Sequence, residues 1–333
     1  MDCANKLKLF VMDGLDILAG ALHNLKLSGI IFNVFTPSLQ PAQQSLFVGE
    51  FPLVSRIVNV ASVSQRSPFR YPGGKTWLVP EVRNWLLHKT VKPSEFIEIF
   101  AGGGIVGLTV AAESLAEHVT LVELDPDVSS VWRTILSDDA EWLAQRIVRF
   151  PISVASAQEL LSVTPETTRD RAFLTILKNR VNHGGILARG TGLIKNGENG
   201  KGIASRWYPE TLARRIRSIY AIRDRITFIE GDGLEVMRQN AARTDAVYFI
   251  DPPYTAPGKR AGKRLYAFNE IDHEGLFDLA ATVSGDFMLT YDNAESVRQM
   301  ADQRGFAIHE VPMKNTHHAK MTELLISPAQ HVL

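Results

Sequence analysis

Short apolar runs alternate with helix-like stretches along most of this 333-residue chain, and no other feature of the sequence constrains the fold as strongly. The strand-like runs are Phe96–Phe100, Val119–Leu124, Ile226–Glu230, Ala246–Ile250, Asp286–Tyr291, Phe306–Val311 and Thr322–Ile326. Stretches with helical spacing fall between most of them: Ile105–Glu117, Gly233–Ala242, Glu274–Val283 and Ala294–Arg304, with Trp77–Leu87 ahead of the first strand. Such alternation predicts a mostly parallel sheet covered on both faces, because parallel neighbours need a crossover that packs back onto the sheet. The last two runs lack a helix between them, which predicts an antiparallel hairpin at one edge.

One connection is far too long. Residues 125–225 separate the second run from the third, whereas a crossover needs only a dozen or so residues. The sequence therefore predicts a core domain in two pieces, 66–135 and 226–333, with a mostly helical module, 136–225, inserted between them. Residues 1–65 stand apart. No charged residue occurs between Lys26 and Glu50, yet polar residues and prolines interrupt the apolar stretch around Ile30–Phe35. Nothing there approaches the roughly 18 to 20 apolar residues of a bilayer span, nor a basic start followed by a cleavable apolar core. We expect a loosely packed or atypical extension.

Three motifs carry chemistry. Asp251-Pro252-Pro253-Tyr254 directly follows the run Ala246–Ile250. The prolines donate no backbone hydrogen bond and hold φ fixed, so the chain leaves the sheet stiffly. A stiff exit can aim the Asp251 carboxylate, the Pro252 carbonyl and the Tyr254 ring at one point. Two acceptors and a flat aromatic face suit an exocyclic amino group on a planar ring. The second motif, Phe96–Gly107, reads as strand, glycine turn and helix start. Its glycines let the backbone approach a ligand, and a helix N-terminus favours negative charge. The third, Phe69-Arg70-Tyr71-Pro72-Gly73-Gly74-Lys75, is a turn with an aromatic and a cation.

Taken in this order the motifs resemble those of the alpha group of DNA adenine-N6 methyltransferases, the Dam-like enzymes. In that group a Gly-Gly-Lys turn comes first, an FxGxG-type loop for S-adenosylmethionine follows, and DPPY comes much later. The resemblance runs from Ser67 to Ser327. It implies an α/β class I S-adenosylmethionine-dependent methyltransferase fold, Rossmann-like, mostly parallel with an antiparallel C-terminal edge hairpin. It also implies that the inserted helical module holds the target-recognition region.

The resemblance assigns Asp251, Pro252, Pro253 and Tyr254 to catalysis, and Asp251, Phe100, Gly102 and Gly104 to the cofactor. Tyr71 and Lys75 would lie near the cofactor's amino-acid end and the target pocket. Glu123 ends the second strand, where an acid can bond both hydroxyls of a ribose; family members more often carry aspartate there. Asp125, followed by Pro126, reads as a helix cap. For Asp232 the resemblance implies a contact with the cofactor's adenine amino group, and a helix N-cap is the competing reading.

Lysine plus arginine equals aspartate plus glutamate at 36 each, so global charge does not announce a nucleic acid. The distribution does. Residues 169–225 hold thirteen basic residues against four acidic ones, and Lys259, Arg260, Lys263 and Arg264 follow the DPPY motif. Charge runs are usually solvated faces, but two basic patches flanking a base pocket point to phosphate contacts. Arg180, Asn182, Arg189, Lys195, Arg206, Lys259 and Arg260 are the candidates for binding double-stranded DNA. The single cysteine, Cys3, excludes an internal disulfide framework and a cysteine zinc site. It also argues against carbon-5 methylation of cytosine, which needs a cysteine nucleophile. His317 and His318 are adjacent, so on a strand they face opposite ways, and no metal is expected. A cytoplasmic protein, monomeric or weakly dimeric and free of membranes, fits these features.

The chemistry follows from the substrate. An adenine amino group is a poor nucleophile because its lone pair is delocalised, while a methyl on a sulfonium is strongly electrophilic. Acceptors at Asp251 and Pro252 would draw the nitrogen toward tetrahedral geometry, with in-line alignment providing much of the acceleration. A carboxylate is too weak a base to deprotonate the neutral amine first, so proton loss should follow methyl transfer. A cytosine-N4 methyltransferase would use the same chemistry, and a non-catalytic DNA-binding relative is a further alternative. A nicotinamide-dependent dehydrogenase would share the glycine loop but has no use for DPPY.

Overall fold

The computed structural model describes residues 58–70, 73–188, 190–197, 200–253, 271–314 and 320–329. Its centre is a seven-stranded sheet in the order β3-β2-β1-β4-β5-β7-β6. The strands are β1 (Glu95–Glu98), β2 (His118–Glu123), β3 (Ile226–Glu230), β4 (Ala246–Ile250), β5 (Asp286–Asp292), β6 (Phe306–Lys314) and β7 (Lys320–Pro328). The first five run parallel. The last strand is antiparallel to both β5 and β6. The expected C-terminal hairpin is present, but β7 sits inside it and β6 forms the edge.

Alternation along the strands explains why both faces are covered. Phe96, Val247 and Phe249 join an apolar cluster on one face, whereas Ile97, Ile99, Tyr248 and Ile250 join a second cluster on the other. Every residue of β4 is buried, as expected of a central parallel strand with helices on either side. The first face is covered by α1 (Val79–Leu87), α2 (Ile105–Glu113) and α3 (Pro126–Ile135); the second by α8 (Gly233–Asn240), α9 (His273–Ala280) and α10 (Glu295–Gln303). α2 stops earlier than its sequence pattern suggests. Ser114 adopts φ +56° there, and Ser114 and Leu115 donate back to Ala111 and Val110, closing the last turn. A serine in that conformation is hard to anticipate from sequence.

The long connection folds as α4 (Ala140–Arg149), α5 (Val154–Leu161), α6 (Thr168–Val181) and α7 (Pro209–Tyr220). Leu143, Ile147, Phe173, Ile176, Leu212 and Ile216 from these helices belong to the same apolar cluster as the sheet residues Phe96 and Phe249. Phe150 meets Phe173 and Trp207 edge-on at 5.4 and 5.9 Å. The helices pack on α3, which itself covers the sheet's first face, and so extend the same apolar core.

β1 lies between β2, which continues outward to β3, and β4, which continues the other way to β5. The C-terminal ends of β1 and β4 therefore form the switch point at which open α/β sheets bind ligands. The glycine motif leaves β1 there, and the Asp251 motif leaves β4 beside it.

Candidate active site

The glycine turn is fastened to the end of β2. Gly102 donates its N–H to Glu123 Oε2 and Asp125 donates to Glu123 Oε1, both at 2.8 Å. Trp132, fully buried on α3, donates its indole N–H to the Gly102 carbonyl at 3.0 Å. The ring of Trp132 also explains Gly104. A Cβ there would lie 2.7 Å from the ring, and the backbone is left-handed at φ +59°. Gly104 is thus required by the protein's own packing, a different reason from the ligand approach expected of it.

Glu98, at the end of β1, was not among the residues nominated from sequence. Its carboxyl is buried, accepts the Gly107 N–H at 2.8 Å, and is pushed up to about 8 by burial, with Asp251 and Glu123 adding to the rise. The available signal was an acid among apolar strand residues just ahead of a glycine turn. Burial likewise pushes Glu123 up to about 7, although part of its surface still meets the cavity described below.

At the end of β4, two donors among the described residues meet one oxygen of Asp251. Lys75 Nζ and Thr290 Oγ1 each lie 2.8 Å from its Oδ1. Lys75 is buried; it also donates to the Gly73 carbonyl at 3.1 Å and lies 3.8 Å from Glu323 Oε1. Burial alone would favour the neutral amine. Asp251, Glu323 and Asp292 outweigh it and hold the ammonium above its ordinary value. Thr290 and Glu323 were likewise not nominated, because nothing local in β5 or β7 announces that they meet Lys75 and Asp251.

One cavity of about 1380 Å³ joins these groups. Asp251, Pro252, Pro253, Lys75, Phe100, Gly102, Gly104, Glu123 and Asp232 all line it. Asp232 also caps α8, accepting the Leu234 N–H at 2.9 Å, so the competing cap role is realised at the cavity wall. Tyr71, Tyr254, Arg189, Lys259, Arg260, Lys263, Arg264, His317 and His318 lie outside the described residues.

The DNA-contact candidates divide. Lys195 is exposed and Arg206 half-buried. Arg180 is buried instead, lines the cavity, and donates to the Pro68 carbonyl. Burial, together with Arg215 and Arg70, pulls its guanidinium down to about 9. Asn182 is also buried and donates to the Ile186 carbonyl at 2.9 Å, bracing its own turn rather than projecting outward. A residue absent from the candidates, Asn179, clamps Arg70 by accepting its N–H at 2.9 Å and donating to its carbonyl at 3.0 Å. Arg215 adds a bond to the Ser67 carbonyl at 2.9 Å. The inserted helices thereby hold the segment that leads into Gly73–Lys75. Among the described residues no group of His, Cys, Asp or Glu side chains could hold a metal ion, and no helix is long and apolar enough to cross a membrane.

No curated protein matches the chain. Among solved structures it is similar to the rRNA methyltransferase aviRa of Streptomyces viridochromogenes, at 13% identity and a TM-score of 0.36 over 79% of this chain and 88% of that one. It is also similar to the precorrin-6y C5,15-methyltransferase of Geobacter metallireducens, at 9% identity and a TM-score of 0.32 over 75% of this chain and 85% of that one. Likenesses this distant carry no conclusion about the reaction. By its strand order the chain has the class I S-adenosylmethionine-dependent methyltransferase fold, and over residues 71–184 it matches the D12 class of N6 adenine-specific DNA methyltransferases.

Proposed function

We propose that the chain transfers a methyl group from S-adenosylmethionine to the exocyclic N6 amino group of an adenine extruded from double-stranded DNA. The observation that carries this reading is the continuity of one cavity between Glu123 with its glycine turn and Asp251 with its two donors.

The chain's own residues fit the cofactor. Glu123 accepts the Gly102 and Asp125 N–H groups on separate oxygens and still lines the cavity, where a ribose hydroxyl can reach its carboxyl. Leu124 is exposed on the cavity wall beside it, and Asp232, at the start of α8, lines the same cavity. When bound, S-adenosylmethionine would supply a methyl on a cationic sulfur, and that sulfur would keep the S–C bonding pair as a neutral thioether when the methyl leaves.

Asp251 and the Pro252 carbonyl accept the two amino hydrogens, which localises the nitrogen lone pair and aims it at the methyl. Lys75 and Thr290 hold the carboxylate still, so alignment is set before the base arrives. The new N–C bond leaves the amine cationic beside Asp251. That carboxylate then takes the proton and passes it to water. Extruding the base costs a few kcal/mol, offset by stacking and by phosphate contacts from basic residues of the inserted helices. Binding should weaken steeply with salt.

The test is incubation of the purified chain with methyl-labelled cofactor and DNA from a methylation-free host, followed by nucleoside analysis. Label in N6-methyladenine is the expected result. Label in N4-methylcytosine would move the reading to the cytosine alternative, and no label in either would overturn it.

A further inference from the structure

Glu323 is a buried carboxyl at the cavity that the reaction above leaves without a task. It sits on β7 directly across from Asp292 of β5. Its Oε1 lies 3.8 Å from Lys75 Nζ, while its Oε2 is buried with no hydrogen-bond partner among the described residues. Leaving a buried polar atom unmatched is destabilising. A leucine would avoid that cost.

The surroundings show what the carboxyl does. An ammonium donates three hydrogens. Asp251 Oδ1 and the Gly73 carbonyl lie within hydrogen-bond distance of Lys75 Nζ, and Glu323 Oε1 lies within ion-pair distance of it. Three carboxylates, Asp251 of the β4 exit, Asp292 of β5 and Glu323 of β7, therefore act on one cation. Glu98 acts on Asp251 from β1. On the β6 side Glu323 faces Val311, with Pro312 and Met313 lining the cavity, so that strand brings no charge there among the described residues.

We propose that Glu323 is a positioning residue that acts through Lys75: ionised, it draws the ammonium partly off Asp251 and leaves Asp251 the stronger acceptor. This rests on the methyl-transfer reading above. Protonated, Glu323 leaves Lys75 to neutralise Asp251, and the amino group meets a weaker acceptor. Burial pushes the Glu323 carboxyl up to about 7, with Lys75 opposing the rise and Asp251 and Asp292 reinforcing it. The rate of methyl transfer accordingly rises with pH through neutrality as Glu323 gives up its proton.

The experiment measures kcat, and KM for cofactor and duplex, across pH 5.5–9 for the full chain, Glu323→Gln and Glu323→Asp. Glu323→Gln should lose the rise near neutrality and run about tenfold slower on the alkaline side, with both KM values little changed. Glu323→Asp, which keeps the charge, should retain a rise. Wild-type kcat and an unchanged pH profile in Glu323→Gln would overturn the proposal. Should that variant fail to fold, the aspartate variant decides, and a flat profile there would overturn it equally. A wild-type chain that methylates no adenine at any pH would mark failure of the functional reading itself, a separate outcome.

Discussion

Lys75 Nζ stands 2.8 Å from Asp251 Oδ1, an ion pair between the turn ahead of α1 and the exit of β4. The lysine is buried and the aspartate faces the cavity. The pair ties the first motif of the chain to its last, and it sets the carboxylate's orientation before any substrate binds.

Asp251→Asn keeps the shape and removes the charge. Its kcat should fall by about 100-fold or more, since the amide is a poorer acceptor and cannot take the proton. Cofactor affinity, measured by titration calorimetry, should be largely unchanged. Lys75→Met should lose activity as well, with a stability cost of about 1–3 kcal/mol because Asp251 then keeps only the Thr290 hydroxyl of these two donors. Full turnover by Asp251→Asn would end the assignment.

Glu123→Ala should weaken cofactor binding by about tenfold or more, from the loss of charge-assisted bonds to a ribose. The Gly102 and Asp125 N–H groups lose their acceptor at the same time, so the turn should exchange amide hydrogens faster. Unchanged cofactor affinity would remove Glu123 from the ribose site.

Glu98 links stability to pH. Burial raises its folded value from 4.5 to about 8, so the fold keeps the proton that the unfolded chain releases. A group raised in this way contributes stability below the unfolded value and loses that contribution as pH rises toward the folded one. Glu98→Gln keeps an acceptor for the Gly107 N–H without the ionisation. Relative to wild type it should gain on the order of 1–3 kcal/mol between pH 5 and pH 8, read from denaturant midpoints. Parallel pH profiles for the two proteins would contradict this.

Gly104→Ala should destabilise the fold by about 1–3 kcal/mol through overpacking against Trp132 and strain at positive φ. Replacing Trp132 by leucine in the same chain should recover part of the packing loss and none of the backbone strain. Thermal melts of the two single variants and the double variant separate the two terms.

The sequence by itself determined the succession of strands and helices along the core, the presence of a long helical connection, and the choice of Asp251, Lys75 and Glu123 as candidates that the fold gathers at one cavity. Each of those rests on local information: apolar period, glycine and proline punctuation, and an acid at the end of an apolar run. A helix boundary was legible at Asp125 with Pro126, and not where Ser114 turned left-handed. Only the tertiary structure decided the rest. β7 slips between β5 and β6, and that placement sets Glu323 across from Asp292 and within 3.8 Å of Lys75. Trp132 comes from α3 to occupy the space Gly104 leaves. Arg180 and Asn179 turn inward to hold Pro68 and Arg70. The reason is common to all three. A residue's partner across a sheet or between helices depends on which distant segment packs there, and the local pattern is silent about that choice.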